Sequence, residues 1–239
     1  MTNLDQLKQY FSESNNIVFF GGAGVSTESG IPDFRSQDGL FNMEYKYPPE
    51  TILSRSFFRA NPSGFFRFYR NKMVFTGAQP NAAHKALAEI ERMGKLRAVI
   101  TQNIDGLHQA AGSKTVIELH GGIQRNFCMK CKKPHPLEYV LQAEDVPKCQ
   151  CGGTVKPDVV LYEEQLDENN LVQAVEHISR ADMIIIGGTS MRVYPAAGLI
   201  DYYDGDRLVV INKGETHMDD DALVLRESIG EVLAAVVSI

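Results

Sequence analysis

Five short apolar runs, each closed by glycine or a polar residue, constrain the fold of this 239-residue chain more than any other feature. Ile17-Val18-Phe19-Phe20 stops at Gly21-Gly22-Ala23-Gly24, and Ala98-Val99-Ile100 stops at Thr101-Gln102-Asn103-Ile104-Asp105. Val116-Ile117-Glu118-Leu119 stops at His120, Met183-Ile184-Ile185-Ile186 at Gly187-Gly188-Thr189-Ser190, and Leu208-Val209-Val210-Ile211 at Asn212-Lys213-Gly214. β-Branched runs without polar alternation are strands buried on both faces, and the helical stretches 81–93 and 169–179 between them supply parallel crossovers. The expected fold is α/β, a doubly wound parallel sheet. Ligands of such sheets lie beyond the carboxyl ends of the strands, where these polar endings collect.

All four cysteines, Cys128, Cys131, Cys149 and Cys151, fall within one 24-residue window. Two thiolate pairs at this spacing predict a zinc ribbon, and four thiolates leave no open position for a catalytic water, so the metal is structural. Apolar runs resume on both sides of the window, so the zinc module interrupts a larger domain. The expected division is a Rossmann-like domain of residues 1–35, 77–125 and 156–239, a loop and helical insertion over the crevice at 36–76, and a zinc-binding module at 126–155. Phe34, Phe41, Tyr45 and Tyr47 make the loop aromatic, and a helical face follows around 57–72. Long loops of this kind are commonly functional.

The formal net charge of −6 disfavours non-specific nucleic-acid binding, which needs a dense basic face. The first residues lack the basic and apolar regions of a signal peptide, and no run approaches the roughly 18 apolar residues of a membrane span. A reducing, cytoplasmic setting is expected, in which paired cysteines are metal ligands rather than disulfides. Oligomeric state is left open, a monomer being compatible with the sequence.

Gly22-x-Gly24 after a strand, with Ser26 and Thr27 opening the next helix, suits a pyrophosphate held by backbone N–H groups. Glycines in that place serve a tight turn equally well. The hydride-transfer fingerprint is incomplete: the third glycine is missing, and no strand ending in an acidic residue follows about 20 positions on. The chain instead runs Gly22-Ala23-Gly24-Val25-Ser26-Thr27-Glu28-Ser29-Gly30-Ile31-Pro32-Asp33-Phe34-Arg35-Ser36. This stretch resembles the cofactor loop of the sirtuins, NAD-dependent protein-lysine deacylases. The block 101–108, His120-Gly121, the four cysteines, Gly188-Thr189-Ser190 and Ile211-Asn212 resemble the family's other motifs in order, in the manner of its bacterial members.

The resemblance implies a protein deacetylase that uses NAD as co-substrate and acts on acyl-lysine proteins. The acyl carbonyl oxygen attacks the nicotinamide ribose, giving nicotinamide and O-acetyl-ADP-ribose. It implies that His120 is the base for a ribose hydroxyl, a task suited to imidazole, with Asn103 and Asp105 as its catalytic companions at the ribose and carboxamide. Ile104 stands beside the ring, Gln102 at the ribose, Phe34 over the nicotinamide pocket and Arg35 near the phosphates. Gly22, Ala23, Gly24, Thr27, Gly188, Thr189 and Ser190 line the phosphates and adenosine ribose, with Asn212 and Lys213 on the adenosine side. The alternative activity on the same ribose chemistry is mono-ADP-ribosyl transfer to protein.

A peptide substrate is expected to add as a strand between Val159, Val160 and Tyr162 on one lip and Met191, Arg192 and Val193 on the other. Two departures from the family pattern stand out. Tyr162-Glu163 occupies the place of a usual Phe-Gly, and loss of that glycine restricts the backbone. Cys149-Gln150-Cys151 is one residue shorter than the common second pair, with Gly152-Gly153 giving the turn its freedom. Tyr69 and Lys72 form Tyr-x-x-Lys where desuccinylating sirtuins have Tyr-x-x-Arg. Lys lacks the planar fork that grips a carboxylate, which favours acetyl or another neutral acyl group.

Overall fold

Alternate residues of the apolar runs face opposite sides of one sheet, and both sides are covered. The computed structural model describes residues 1–34, 39 and 47–238. In chain order its elements are helix α1 (Asn3–Glu13), strand β1 (Ile17–Gly21), helices α2 (Pro49–Ile52), α3 (Arg55–Ala60), α4 (Pro62–Lys72) and α5 (Ala82–Arg92), then strand β2 (Leu96–Thr101). Helix α6 (Leu107–Ala111) and strands β3 (Val116–Glu118), β4 (Gly121–Cys128) and β5 (Pro134–His135) follow. The chain continues through α7 (Leu137–Leu141), β6 (Val155–Val159), α8 (Glu168–Ser179), β7 (Met183–Gly187), β8 (Leu208–Ile211), β9 (Leu223–Leu225) and α9 (Ile229–Val237).

Six parallel strands lie in the order β3-β2-β1-β7-β8-β9. Phe19, Val99, Ile185 and Val209 face one core with residues of α1, α5 and α9. Val18, Phe20, Ile100, Ile184 and Ile186 face the other, with Ala174 and Ile178 of α8. This two-sided burial explains why the runs carry no polar alternation. Sequential order reverses between β1 and β7, and the crevice of a doubly wound sheet opens at that switch point. All five expected strands are present; β9 is a sixth that so short a run did not announce.

The expected helices at 81–93 and 169–179 are α5 and α8. The Asn81 side chain caps α5 by accepting from the backbone of Ala83 and His84, and Asp167 caps α8 through Asn170. The helical face near 57–72 is two helices, because Pro62 cannot continue the hydrogen bonding of α3 but suits the first turn of α4.

A second, antiparallel sheet has the order β5-β4-β6. It shares a core with α2, α3, α4 and α7 built on Phe58, Phe65, Phe66, Tyr69, Val140 and Val155. Its strands reach beyond 126–155 on both sides, from Gly121 to Val159. The chain leaves the large sheet at Leu119-His120 and turns at Gly121. That residue has φ 74°, and a Cβ there would lie 1.9 Å from the Asp158 carbonyl oxygen. Arg125 ties the junction by ion pairs to Glu118 (2.6 Å) and Asp158 (2.8 Å).

Against Phe19 of β1, His108 lies buried together with His84, their ring centroids 4.7 Å apart. Both ring nitrogens of His108, and Nε2 of His84, lack hydrogen-bond partners. Burial drives the His108 pKa down to about 3, and neighbouring His84 adds to the fall. The same burial lowers His84, opposed by the negative charges of Asp105 and Glu28. Because the folded pKa lies below the unfolded 6.5, the unfolded chain takes up the proton first. Stability is therefore intact above about pH 6.5 and falls as pH drops from there, for His108 down to about pH 3 and by up to about 1.4 kcal/mol per pH unit. Urea midpoints between pH 7 and 4.5 should show this slope, and His108→Leu should make it shallower.

Candidate active site

Two glycine loops interlock at the switch point. The Gly22 amide donates to the Gly187 carbonyl at 3.2 Å, and the Gly24 amide to the Gly188 carbonyl at 2.8 Å. A Cβ on Gly188, whose φ is 60°, would lie 2.3 Å from the Val25 nitrogen, so backbone packs directly on backbone. The expected helix after Gly24 is instead a 3₁₀ segment, Ala23–Ser29, closed by Gly30 in the left-handed conformation. Loop amides, rather than the end of a long helix, are thus what this segment offers an anion. Ala23 and Gly24 are half-buried, Thr27 is exposed, and its hydroxyl donates to the Gly24 carbonyl at 2.9 Å.

The ends of β2 and β3 bring the next group of residues to the same place. The Gln102 amide donates to the Gly21 carbonyl (3.0 Å), and its side chain donates to the Thr189 hydroxyl (3.2 Å). Asn103, nearly buried, donates through Nδ2 to the Ser26 hydroxyl at 3.1 Å, and that hydroxyl donates to Asp105 Oδ2 at 2.7 Å. The other Asp105 oxygen accepts the Leu107 amide at 2.9 Å. Asn103, Ser26 and Asp105 are therefore locked as one chain of hydrogen bonds. Ser26 stands in the loop motif, but its link to residues some 79 positions away is set by the strand order β1-β2 and not by local sequence.

His120 sits where the two sheets meet. Its Nδ1 lies 3.0 Å from the Gln102 carbonyl oxygen, and its own carbonyl accepts the Val160 amide at 3.0 Å. A carbonyl only accepts, so Nδ1 carries the proton and Nε2 is the basic nitrogen. Burial depresses the His120 pKa, opposed in part by the hydrogen bond to Gln102. The ring is thus neutral at pH 7. Phe34 and Ile104 both pack, partly buried, against the core of the helical and zinc modules. Thr189 is buried and Ser190 half-buried, while Asn212 donates to the Gly214 carbonyl (2.8 Å) and Lys213 is exposed. Arg35 lies outside the described residues, as do Phe41 and Tyr45.

A model of the Sir2 family matches residues 22–195. The chain belongs to the Sir2 family. It is 57% identical to an NAD-dependent protein deacetylase of Clostridium acetobutylicum, with 99% of each chain covered. Among solved structures it resembles a Sir2 variant with deacetylated p53 peptide and 3′-O-acetyl ADP-ribose, at 38% identity and TM-score 0.91 over 99% of this chain and 98% of that one. It also resembles a Sir2 homologue in complex with NAD, at 40% identity and TM-score 0.88 over 98% and 92% of the two chains.

The sirtuin's four cysteine sulfurs lie within 4.8 Å of one another, with Cys128 to Cys151 at 3.4 Å and Cys131 to Cys149 at 3.7 Å. Zn–S bonds of about 2.3 Å at tetrahedral angles require sulfurs about 3.8 Å apart, so this donor set fits zinc despite the short Cys149-Gln150-Cys151 pair. The glycine loops fit a dinucleotide likewise. They join at the switch point without intervening side chains, and residues 22–27 and 187–191 contain no acidic group to repel phosphate.

The two expected peptide lips also lie beside the site. Val159 is buried in β6, and Tyr162 is 39% exposed. On the other lip the Met191 side chain is buried in the core, Arg192 is exposed and Val193 half-buried. Tyr69 is buried within the helical module, stacked on Phe65 (5.8 Å). Among the described residues, no helix is long and apolar enough to cross a membrane.

Proposed function

We propose that this sirtuin is an NAD-dependent protein-lysine deacetylase that releases nicotinamide, O-acetyl-ADP-ribose and free lysine. The observation that carries the reading is His120: a neutral imidazole held by Gln102 through Nδ1, with Nε2 left as base, beside the locked Asn103–Ser26–Asp105 chain. Bound NAD supplies a ribose carbon from which nicotinamide can leave as a nucleophile arrives. The protein's own part is to hold and shield that group and to move one proton. Gly22, Ala23, Gly24, Thr27, Gly188, Thr189 and Ser190 hold the phosphates and adenosine ribose, with Asn212 and Lys213 at the adenosine. Gln102, Asn103, Ile104 and Asp105 orient the nicotinamide riboside, Phe34 keeps water from it, and His120 Nε2 takes the proton of a ribose hydroxyl.

Zinc on Cys128, Cys131, Cys149 and Cys151 fixes the small sheet and has no open position for chemistry. We read residues 1–35, 77–125 and 156–239 as the nucleotide-binding domain, 36–76 as the helical insertion and 126–155 as the zinc module. An acyl-lysine peptide lies between the lips at 159–162 and 191–193. A neutral acyl group and a reducing, cytoplasmic setting accord with Lys72 and with four unpaired thiols.

The test is mass spectrometry of an acetyl-lysine peptide incubated with the protein, with and without NAD. Loss of the acetyl mass only with NAD, matched by O-acetyl-ADP-ribose, is the expected result. An unchanged peptide beside protein that has gained ADP-ribose would replace this reading with the transferase.

A further inference from the structure

The Tyr162-Glu163 departure coincides with an unusual backbone. Residues 161–164 form a tight turn in which the Glu164 amide donates to the Leu161 carbonyl at 3.0 Å. Glu163 stands third in this turn with φ 71°, a left-handed conformation that such turns ordinarily reserve for glycine or asparagine. The backbone thus keeps the path a glycine would take, although the residue carries a side chain that disfavours it.

That side chain is turned toward the helical module. Glu163 Oε2 accepts the Ser56 amide at 2.9 Å, and Oε1 accepts the Ser56 hydroxyl at 2.8 Å. Ser56 lies in the first turn of α3, and its hydroxyl is 3.1 Å from that of Ser54, the capping residue of that helix. Immediately before Glu163, backbone joins the same two segments. The Tyr162 amide donates to the Leu53 carbonyl, and the Arg55 amide to the Tyr162 carbonyl, both at 3.0 Å. On the far side of the turn, Glu164 accepts the Leu161 amide (2.9 Å) and pairs with Lys156 (3.0 Å).

We infer that Glu163 is a positioning residue for the protein substrate: its carboxylate latches the peptide-binding lip to α3 and holds the lip in a conformation that glycine would adopt unaided. The inference rests on the deacetylase reading for the identity of the substrate. The latch itself is a property of the fold. Glu163 touches neither the glycine loops nor His120 through any hydrogen bond described above, so its effect falls on the peptide and spares NAD.

The experiment compares wild type with Glu163→Gln, Glu163→Gly and Glu163→Ala in steady-state deacetylation, varying acetyl-lysine peptide and NAD separately. Hydrogen exchange is followed over segments 54–58 and 160–164. Gln keeps two polar atoms for Ser56, so its peptide KM should stay within about twofold of wild type. Gly loses the latch but adopts the turn freely, for a rise of about threefold. Ala loses the latch and keeps the unfavourable conformation, for a rise of about tenfold and faster exchange in both segments. The KM for NAD should change by less than twofold throughout. A peptide KM and exchange for Glu163→Ala equal to wild type would overturn the inference, as would Gln as impaired as Ala or an equal rise in the KM for NAD. Absence of deacetylation by wild type would strike the functional reading alone. Exchange would still decide the latch, since faster exchange in Glu163→Ala supports it and unchanged exchange refutes it.

Discussion

Replacing His120 by alanine is expected to lower kcat for deacetylation by about 10²–10⁴-fold, the usual worth of a positioned general base. Among the described residues its side chain hydrogen-bonds a main-chain carbonyl, that of Gln102, and not the glycine loops, so NAD affinity should change little. The pH dependence has a definite sign. Burial sets the His120 pKa below its ordinary value of 6.5, so the neutral, basic form prevails at pH 7. Activity of the wild type should then be lost on acidification, with a midpoint below that of an ordinary imidazole, and the variant's residual activity should lack that dependence. Steady-state kinetics between pH 5 and 8, with NAD binding by calorimetry, check both points. A variant within tenfold of wild-type kcat would remove His120 from the role of base.

The second large effect concerns the metal. Structural zinc on four thiolates contributes about 10–16 kcal/mol of apparent binding energy at pH 7, comparable to the whole stability of an ordinary domain. Cys128 and Cys149 are buried in the core that the small sheet shares with α4 and α7. Losing the ion should therefore disorder that sheet. One zinc per chain is expected by elemental analysis. Chelation, or Cys128→Ser, should lower the melting temperature by many degrees and remove deacetylase activity. Activity goes with the sheet because His120 is held on one side by Gln102 and on the other by Val160, which follows directly on β6. A metal-free protein that melts like the wild type would contradict a structural role for the cluster.

Much of this was legible in the chain because the responsible signals are local or periodic. The runs at 17–20 and 183–186 lack polar alternation since both faces of the central strands are covered. The helical stretches 81–93 and 169–179 were legible as crossovers between the runs, while the caps that start them, Asn81 and Asp167, emerged only in the structure. The thiolate pairs declared the metal centre through spacing alone. The signals that failed are of two kinds. Leu223–Leu225 is too short to show a period, and only pairing with β8 makes it a strand. Ser26 bonds to Asn103 and Asp105 across a strand pairing that no local pattern encodes. Glu163 combines both difficulties, since the loss of glycine was visible but the partner on α3 that accommodates it lies 107 residues away.

A deacetylase of this kind couples nicotinamide release to an acyl-lysine substrate at one site. The most direct test measures, in one reaction, nicotinamide released and lysine deacetylated as a function of peptide concentration. One nicotinamide per lysine, with negligible release when peptide is omitted, is the predicted result. Nicotinamide released at an undiminished rate without peptide would contradict the claim and make the protein an NAD-cleaving enzyme of another kind.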